Sequence, residues 1–480
     1  VITVNYRIVV GMEVHVQLQT RSKMFCRCNA DYAAAPPNTY VCPICTAMPG
    51  VLPAINRKAV EHTVMTGLAL NCQINGLSRF ARKSYFYPDL PKNYQISQYE
   101  LPLCEKGYLD IEVAGQTRRI RIRRIHLEED TAKLTHVDGY SLIDFNRAGV
   151  PLMEVVSEPD IRSPEEARLY LTKLRTILRY LGVSTGNMEE GAMRCEANIS
   201  LQPEGATEMG VKVEVKNLNS FRSVEQALTY EIQRQKKILE AGGRIEQVTM
   251  GWDESKGVTV VQRSKEEAHD YRYFPEPDLP PVCLQSEKVE QIRRMLPELP
   301  DAKRLRFVEQ YGLSSYDALL LTGDRAIADF FEAAVKAHGD AKTVCNWIIG
   351  ETFRLMKTKE RPIEQSQLTP EGLADLLRWV ERGVINLTKA KEILEAIFDT
   401  GASAQSLIEE RGLAQISDQS ELDRVVERIL SAQPKAVADY HAGKTSAIGF
   451  LMGQVMKATG GKANPSVVRE LLLSHLNAMK

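Results

Sequence analysis

From Met12 to Leu18 every second residue is apolar, and this alternation, met again in four other places, limits what the chain can fold into. On a strand, Met12, Val14, Val16 and Leu18 face one side while Glu13, His15 and Gln17 face the other. The same habit marks His126/Glu128, Asp144/Asn146, Arg194/Glu196/Asn198 and Lys212/Glu214/Lys216. One such strand means only a half-solvated antiparallel sheet. Five of them, carrying acids, amides and cations, point to a sheet whose open face is a reaction floor. Carboxylates and an imidazole there hold Mg2+ while lysine and arginine neutralise phosphate oxygens, the combination phosphoryl transfer needs. Neither a Walker A loop nor a nucleophile elbow is present, so a P-loop enzyme or a serine hydrolase is not suggested.

Two stretches sharpen this reading. In Leu142–Val156, Ile143 and Phe145 alternate with Asp144 and Asn146, Ala148-Gly-Val-Pro151 breaks the ladder, and an apolar run carrying Glu154 follows. Acid, amide and base (Arg147) at a strand turn fit a metal-phosphate site, and they fit a solvated hairpin equally. In 117–134, a single strand running through puts Ile120, Ile122, Arg124, His126, Glu128 and Asp130 on one face and Arg119, Arg121, Arg123 and Glu129 on the other. The arginines fit an RNA backbone contact or a charged strand that resists edge pairing.

Of nine cysteines, four cluster as Cys26-Arg-Cys28 and, thirteen residues on, Cys42-Pro-Ile-Cys45. Two short bites joined by a Pro-containing loop are the spacing of a four-thiolate zinc knuckle, and four thiolates leave no open position for catalysis. The other reading is four reduced surface thiols. Cysteine usage as a whole suggests a reducing compartment. With a net charge of −1, any nucleic-acid contact rests on local basic patches. No apolar run is long enough to cross a bilayer, and no signal-peptide pattern opens the sequence.

Residues 81–99 hold two prolines amid Tyr, Lys, Arg, Asn and Gln, which predicts an irregular binding loop with Lys83 and Lys92 available to phosphates. Helices are predicted over 56–70, 163–181, 223–241, 369–383, 387–398 and 421–430, with Ser163 and Thr369 as N-caps and proline following each. A Pro-rich exit near 275–281 closes the strand-bearing part. From Pro434 the tail carries six Lys/Arg against two Asp/Glu, fitting an RNA or a protein contact. Gly449 and Gly453, one helical turn apart, predict close helix packing.

The sequence resembles the B-subunit family of bacterial and organellar glutamyl/aspartyl-tRNA amidotransferases over essentially its whole length. The resemblance rests on Gly11-Met-Glu-Val-His15, the four cysteines, Tyr85-Phe-Tyr-Pro-Asp-Leu-Pro-Lys-Asn-Tyr94, His126-Leu-Glu-Glu-Asp130 and Asp144-Phe-Asn-Arg-Ala-Gly-Val-Pro-Leu-Met-Glu154. It continues through Glu214-Val-Lys-Asn-Leu-Asn219, Arg263-Ser-Lys-Glu-Glu-Ala-His-Asp-Tyr-Arg-Tyr-Phe274 and Gly461-Lys-Ala-Asn-Pro465. The chain departs from the family pattern at Val248-Thr-Met250 (Glu-Thr-Arg in the family), at Gln262 before Arg263 (Met there) and at Thr46 (glycine there).

This resemblance implies an α+β architecture. A glutamine synthetase-like antiparallel cradle with the knuckle at 26–45 would span 1–290, a helical domain 291–405, and a small helical tail contacting tRNA 406–480. It implies a ligase subunit that uses ATP and Mg2+ to phosphorylate the side-chain carboxylate of Glu or Asp misacylated onto tRNA. Ammonia from an amidase-type A subunit would then displace phosphate, with a small C subunit completing a heterotrimer in a bacterial cytoplasm or an organellar matrix or stroma. Carried over residue by residue, Glu13, His15, Glu128 and Glu154 are expected as Mg2+ ligands and catalytic groups. Lys83, Asn146, Arg147, Glu214 and Lys216 are expected as ATP or acyl-phosphate contacts. Cys26, Cys28, Cys42 and Cys45 are expected to bind structural Zn2+, and Lys435, Lys444, Lys457 and Lys462 to contact tRNA. Two other functional classes fit the same residues: a zinc-stabilised tRNA-binding adaptor without chemistry of its own, and a metal-dependent nuclease.

Overall fold

The computed structural model describes residues 5–264, 270–413, 419–459, 463 and 465–479; Lys462, most of the Gly461–Pro465 motif and the middle of the Arg263–Phe274 motif lie outside them. The chain divides into two compact units, 1–300 and 301–480.

The first unit is built on a nine-stranded sheet. In chain order its strands are β1 (Tyr6–Gln17), β2 (Gln73–Ile74), β3 (Cys104–Val113), β4 (Gln116–Glu129), β5 (Pro151–Ser157), β6 (Met193–Pro203), β7 (Val213–Leu218), β8 (Val248–Asp253) and β9 (Val258–Ser264). Across the sheet they run β9-β8-β7-β6-β1-β5-β4-β3-β2, antiparallel except for the β7/β8 pair. The opening alternation holds: Met12, Val14 and Val16 are buried, with Glu13, His15 and Gln17 half-buried opposite them.

Three helices supply the other half of the core: α1 (Arg57–Ala69), α2 (Pro164–Leu181) and α3 (Phe221–Glu240). In α2, Ala167, Tyr170, Leu171, Leu174, Ile177, Leu178 and Leu181 fall at helical spacing and are buried. The Ser163 hydroxyl accepts from Glu166 N, Pro164 opens the first turn, and Gly182 closes the helix at φ 65°. Such a serine cap contributes about 1 kcal/mol. Leu174→Ala, at the middle of the stripe, would cost about 2–5 kcal/mol through the cavity it leaves. Gly107 of β3 permits another close approach, since a Cβ there would lie 2.3 Å from Cys72 Sγ and 2.5 Å from the Leu70 carbonyl.

Several expectations are corrected. On β4 the core-facing residues are Ile120 and Ile122, then Ile125 and Leu127. The alternation changes phase between them, where the β5 register also shifts, so a single phase does not run through 117–134. The shift puts His126 and Glu128 opposite the core rather than in line with Ile120 and Ile122. β4 lies inside the sheet, between β5 and β3, so its arginines do not guard an edge. Arg119, Arg121 and Arg123 instead pair with Asp110, Asp160 and Glu158 at 2.7–3.0 Å. The 81–99 segment is not irregular throughout: Ala81–Ser84 and Tyr94–Ser97 pair as strands, with Phe274–Pro275 beside the first. Residues 140–144 form an exposed hairpin with 133–137 outside the large sheet.

The first unit extends past the expected 290, because the helix Ser286–Arg294 buries Ile292 in the same core and Lys288 pairs with Glu61 at 2.8 Å. In the second unit the described residues form helices and no strands. One apolar core gathers residues between Phe307 and Ile408, and another gathers residues between Leu422 and Leu476. The expected division at 405/406 therefore falls inside the helix Ala404–Glu410, whose Leu407 and Ile408 belong to the first of these cores. Gly449 and Gly453 meet no atom within 4 Å of a built Cβ, so the expected close packing is not formed among the described residues.

Candidate active site

Antiparallel register brings the polar sides of the strands together. Arg194 of β6 stands across from His15 of β1, His15 across from Glu154 of β5, and Glu154 across from His126 of β4. The neighbouring row holds Glu196 across from Glu13, with Asn198 of β6 across from Glu214 of β7. Residues almost two hundred positions apart in the chain thereby line one floor.

Two ligand clusters result. In the first, His15, Glu128 and Glu154 offer donor atoms within 4.8 Å of one another. His15 Nε2 lies 3.5 Å from Glu128 and 3.7 Å from Glu154. His126 Nε2 lies 3.0 Å from Glu154, and Ser97 Oγ donates to Glu128 at 3.2 Å. Burial alone would push the Glu154 carboxyl up, but His126, His15 and Lys83 together hold it well below the usual carboxylate range.

The second cluster is Glu13, Glu196 and Glu214. Asn198 Nδ2 donates to Glu13 at 2.8 Å and Thr249 Oγ1 to Glu214 at 2.7 Å. Lys216 Nζ lies 3.0 Å from Glu196 and 3.7 Å from Glu214. Burial, reinforced by Glu154, Glu196 and Glu214, raises the Glu13 carboxyl. Burial would raise Glu214 as well, yet Lys216 and Thr249 bring it below its ordinary value. The Glu13 end opens into a cleft of about 230 Å³ lined in part by Gly11, Arg123, Ser157, Asn198 and Lys212.

Both donor sets suit a hard divalent cation, which takes carboxylate oxygens and leaves positions for water or phosphate. Asn198 Oδ1 and His126 Nδ1 are also buried without a hydrogen-bond partner among the described residues. The four cysteine sulfurs suit zinc: they lie within 4.8 Å of one another, with Cys42–Cys45 at 3.8 Å and Cys28–Cys45 at 3.9 Å. Those are the edges of a tetrahedron with bonds of about 2.3 Å. A hydrogen bond with Cys26, helped by the Cys42 backbone and Lys23, holds the Cys45 thiol down at about 4 against its burial.

The expected residues divide accordingly. His15, Glu128 and Glu154 meet, whereas Glu13 belongs to the adjoining cluster, since two positions along a strand carry it about 7 Å further. Lys83 sits on the strand Ala81–Ser84 with its ammonium 4.8 Å from the Tyr271 ring and 5.9 Å from that of Tyr85. Burial would lower its pKa, but Glu128 and the three tyrosines 273, 271 and 85 raise it, so it stays charged. Glu214 and Lys216 lie on the floor. Asn146 and Arg147 are hydrogen-bonded outside the two clusters, with Arg147 Nε 3.8 Å from Asp130. Asn146 is fully buried, accepting from Tyr40 N and donating to the Pro36 carbonyl, and so anchors the loop between the cysteine pairs. Arg147 donates to the Thr131 and Ala132 carbonyls. In the tail Lys435, Lys444 and Lys457 are exposed, with Lys444 paired to Asp439. Glu196 was expected on the polar face of the floor but not as a metal ligand, and Ser97 was not expected in the site. The alternation of 194–200 carries the signal for Glu196, but its partners become visible only through register.

Residues 8–290 match the family model of the GatB/GatE catalytic domain, and residues 329–476 match that of the GatB domain. The chain belongs to the GatB family. The B subunit of the aspartyl/glutamyl-tRNA(Asn/Gln) amidotransferase of Thermomicrobium roseum is 57% identical over 472 residues, covering 97% of this chain and 98% of the relative. The proteins of the same name from Thermodesulfovibrio yellowstonii and Moorella thermoacetica are 55% and 54% identical, each over 98% of this chain. For this GatB-family chain, no described helix is long and apolar enough to cross a membrane.

Proposed function

We propose that the chain is the ATP-using subunit of a tRNA-dependent amidotransferase, converting Glu-tRNA(Gln), Asp-tRNA(Asn) or both to the amide form. The supporting observation is the pair of acid clusters on one open sheet face, with lysines beside them, in a chain similar throughout to proteins named as the amidotransferase's B subunit. A carboxylate is a poor acyl donor until one oxygen becomes phosphate. In the first step a side-chain carboxylate oxygen of the aminoacyl group bonds to the γ-phosphorus of ATP. The bond from that phosphorus to the bridging oxygen breaks, and its electron pair leaves with ADP. In the second step ammonia bonds to the acyl carbon, the carbon–oxygen bond to phosphate breaks, and inorganic phosphate and a proton depart.

His15, Glu128 and Glu154 would hold one Mg2+, and Glu13, Glu196 and Glu214 a second. Bound there, the ions neutralise phosphate charge and align the transferring group. Lys83, held by its tyrosine rings, and Lys216 face the same floor and offset negative charge as it moves from ATP to the acyl oxygen. Ser97 orients Glu128, and Asn198 orients Glu13. The four cysteines would bind structural Zn2+, fixing the loop through Asn146. Lys435, Lys444 and Lys457 supply charge for tRNA. Ammonia would come from a partner amidase (A) subunit, in a complex completed by a small C subunit.

The test is transfer of 32P from γ-labelled ATP to Glu-tRNA(Gln) by the assembled complex. Wild type should label the aminoacyl group, and Glu128→Gln should lose about 10²–10³-fold in rate with tRNA binding retained. Equal rates would contradict the proposal. Cleavage of tRNA in Mg2+ without ATP would favour a nuclease.

A further inference from the structure

Asp130, just beyond the end of β4, is 3% exposed and is held on several sides. Its Oδ2 accepts from Gln17 Nε2 at 2.8 Å, and its Oδ1 accepts from Thr131 N at 2.9 Å and Arg194 Nη2 at 2.9 Å. Arg147 Nε lies 3.8 Å away. Its backbone is clamped too, with Asp130 N donating to the Val150 carbonyl and Gly149 N donating to the Asp130 carbonyl. Gln17 also donates to the Tyr32 hydroxyl at 3.1 Å, and Tyr32 lies between the two cysteine pairs. The buried carboxylate needs a compensating cation, which Arg194 supplies at 2.9 Å, so the ion pair accounts for one guanidinium nitrogen and leaves the others open.

Arg194 is placed differently. Its side chain is 35% exposed, and among the described residues its hydrogen-bond partner is Asp130 through Nη2 alone. That leaves most of the five guanidinium N–H groups without a protein acceptor. In register it stands across from His15 of the first acid cluster, and two residues along the same face of β6 from Glu196 of the second. A planar fork held at one nitrogen by Asp130, on the Gln17 side of the first cluster, matches the bidentate geometry of a phosphoryl group or a carboxylate.

We propose that Arg194 is a catalytic residue that grips the phosphoryl group as it passes from ATP to the acyl oxygen, and that Asp130 is its positioning residue. The proposal rests on the reading of the floor as an ATP-dependent acyl-phosphate site. Arg194 contributes where charge develops, because its free N–H groups meet oxygens that become equatorial on the transferring phosphorus. Asp130 removes the need to order the guanidinium during the reaction.

The experiment uses the assembled complex with ATP and Glu-tRNA(Gln), following ADP release and hydroxylamine trapping of the acyl phosphate. Arg194→Met should lower kcat about 10²-fold with the KM for tRNA near that of wild type, and the double variant Arg194→Met/Asp130→Asn, which leaves no unpaired buried charge, should keep that loss with an unfolding temperature near that of wild type. Arg194→Lys, which keeps the charge and loses the fork, should recover only part of that loss. Asp130→Asn should lower kcat by about tenfold, less than removal of a direct donor. Wild-type kcat in Arg194→Met, or full recovery by Arg194→Lys, would overturn the role of the fork. Losses in kcat matched by lost tRNA binding and stability would show a structural role instead. If the wild-type complex forms no ADP, the reading of the floor itself falls and this proposal with it; if it forms ADP and Arg194→Met equals it, this proposal falls alone.

Discussion

His15, Glu128 and Glu154 meet beside a second imidazole and near Lys83, whereas Glu13, Glu196 and Glu214 meet with one lysine among them. In the first cluster His126, His15 and Lys83 outweigh burial and hold the Glu154 carboxyl below the usual carboxylate range. In the second, burial and three neighbouring carboxylates raise Glu13. The same strands thus carry one cluster whose surroundings lower a carboxyl and one whose surroundings raise one. Adjacent rows of one sheet can therefore differ in kind, because the difference lies in which side chains the register brings opposite.

Three substitutions probe that contrast, in falling order of effect. Glu154→Gln removes a carboxylate whose pKa is lowered by its surroundings and should destabilise the metal-free protein by about 3 kcal/mol at pH 7. Because the folded pKa of Glu154 lies below its unfolded value, its contribution is present above about pH 4.3 and fades as pH falls through the folded value. Urea unfolding at pH 7 and pH 3 should show a wide gap from wild type that narrows in acid. Next, Glu196→Gln should weaken binding of the second Mn2+ about tenfold, or 1.4 kcal/mol, leaving the first unchanged in calorimetric titration. Equal weakening of both would mean that the clusters are one site. Smallest, and opposite in sign to the first, is Glu13→Gln. The folded pKa of Glu13 is raised, so what it contributes is present below its unfolded pKa and lost as pH rises through the folded value. Glu13→Gln should therefore stabilise the metal-free protein at pH 7.5 by under about 1 kcal/mol, with no gain at pH 4. A clear loss of stability at pH 7.5 would contradict the assigned difference between the clusters.

What the sequence made legible follows the range of the interactions involved. Local patterns carried over: the Met12–Val16 alternation, the Ser163 and Thr369 caps with their following prolines, and the two cysteine bites. Interactions across strands did not. The phase change between Ile122 and Ile125 is an exception and does leave a mark, since Arg123-Arg124 interrupts the alternation and the apolar positions pass from Ile120 and Ile122 to Ile125 and Leu127. Glu196 could be placed on a polar face but not beside Glu13, because pairing of β6 with β1 is a property of topology. Asn146 and Arg147 have the right chemistry for phosphate, yet nearby carbonyls and the Pro36–Tyr40 loop claim them first. The domain limits depend on packing in the same way: Ile292 and Leu407, just past the expected limits, each join the core that precedes them.

The central claim is that this sheet face holds two divalent ions side by side. Anomalous diffraction from crystals of the assembled complex soaked in Mn2+ and a non-hydrolysable ATP analogue tests it most directly. The account predicts two peaks, one among His15, Glu128 and Glu154 and the other among Glu13, Glu196 and Glu214, each at roughly 2.0–2.3 Å from its ligand atoms. No peak on the floor, or a single ion bound away from both clusters, would contradict it.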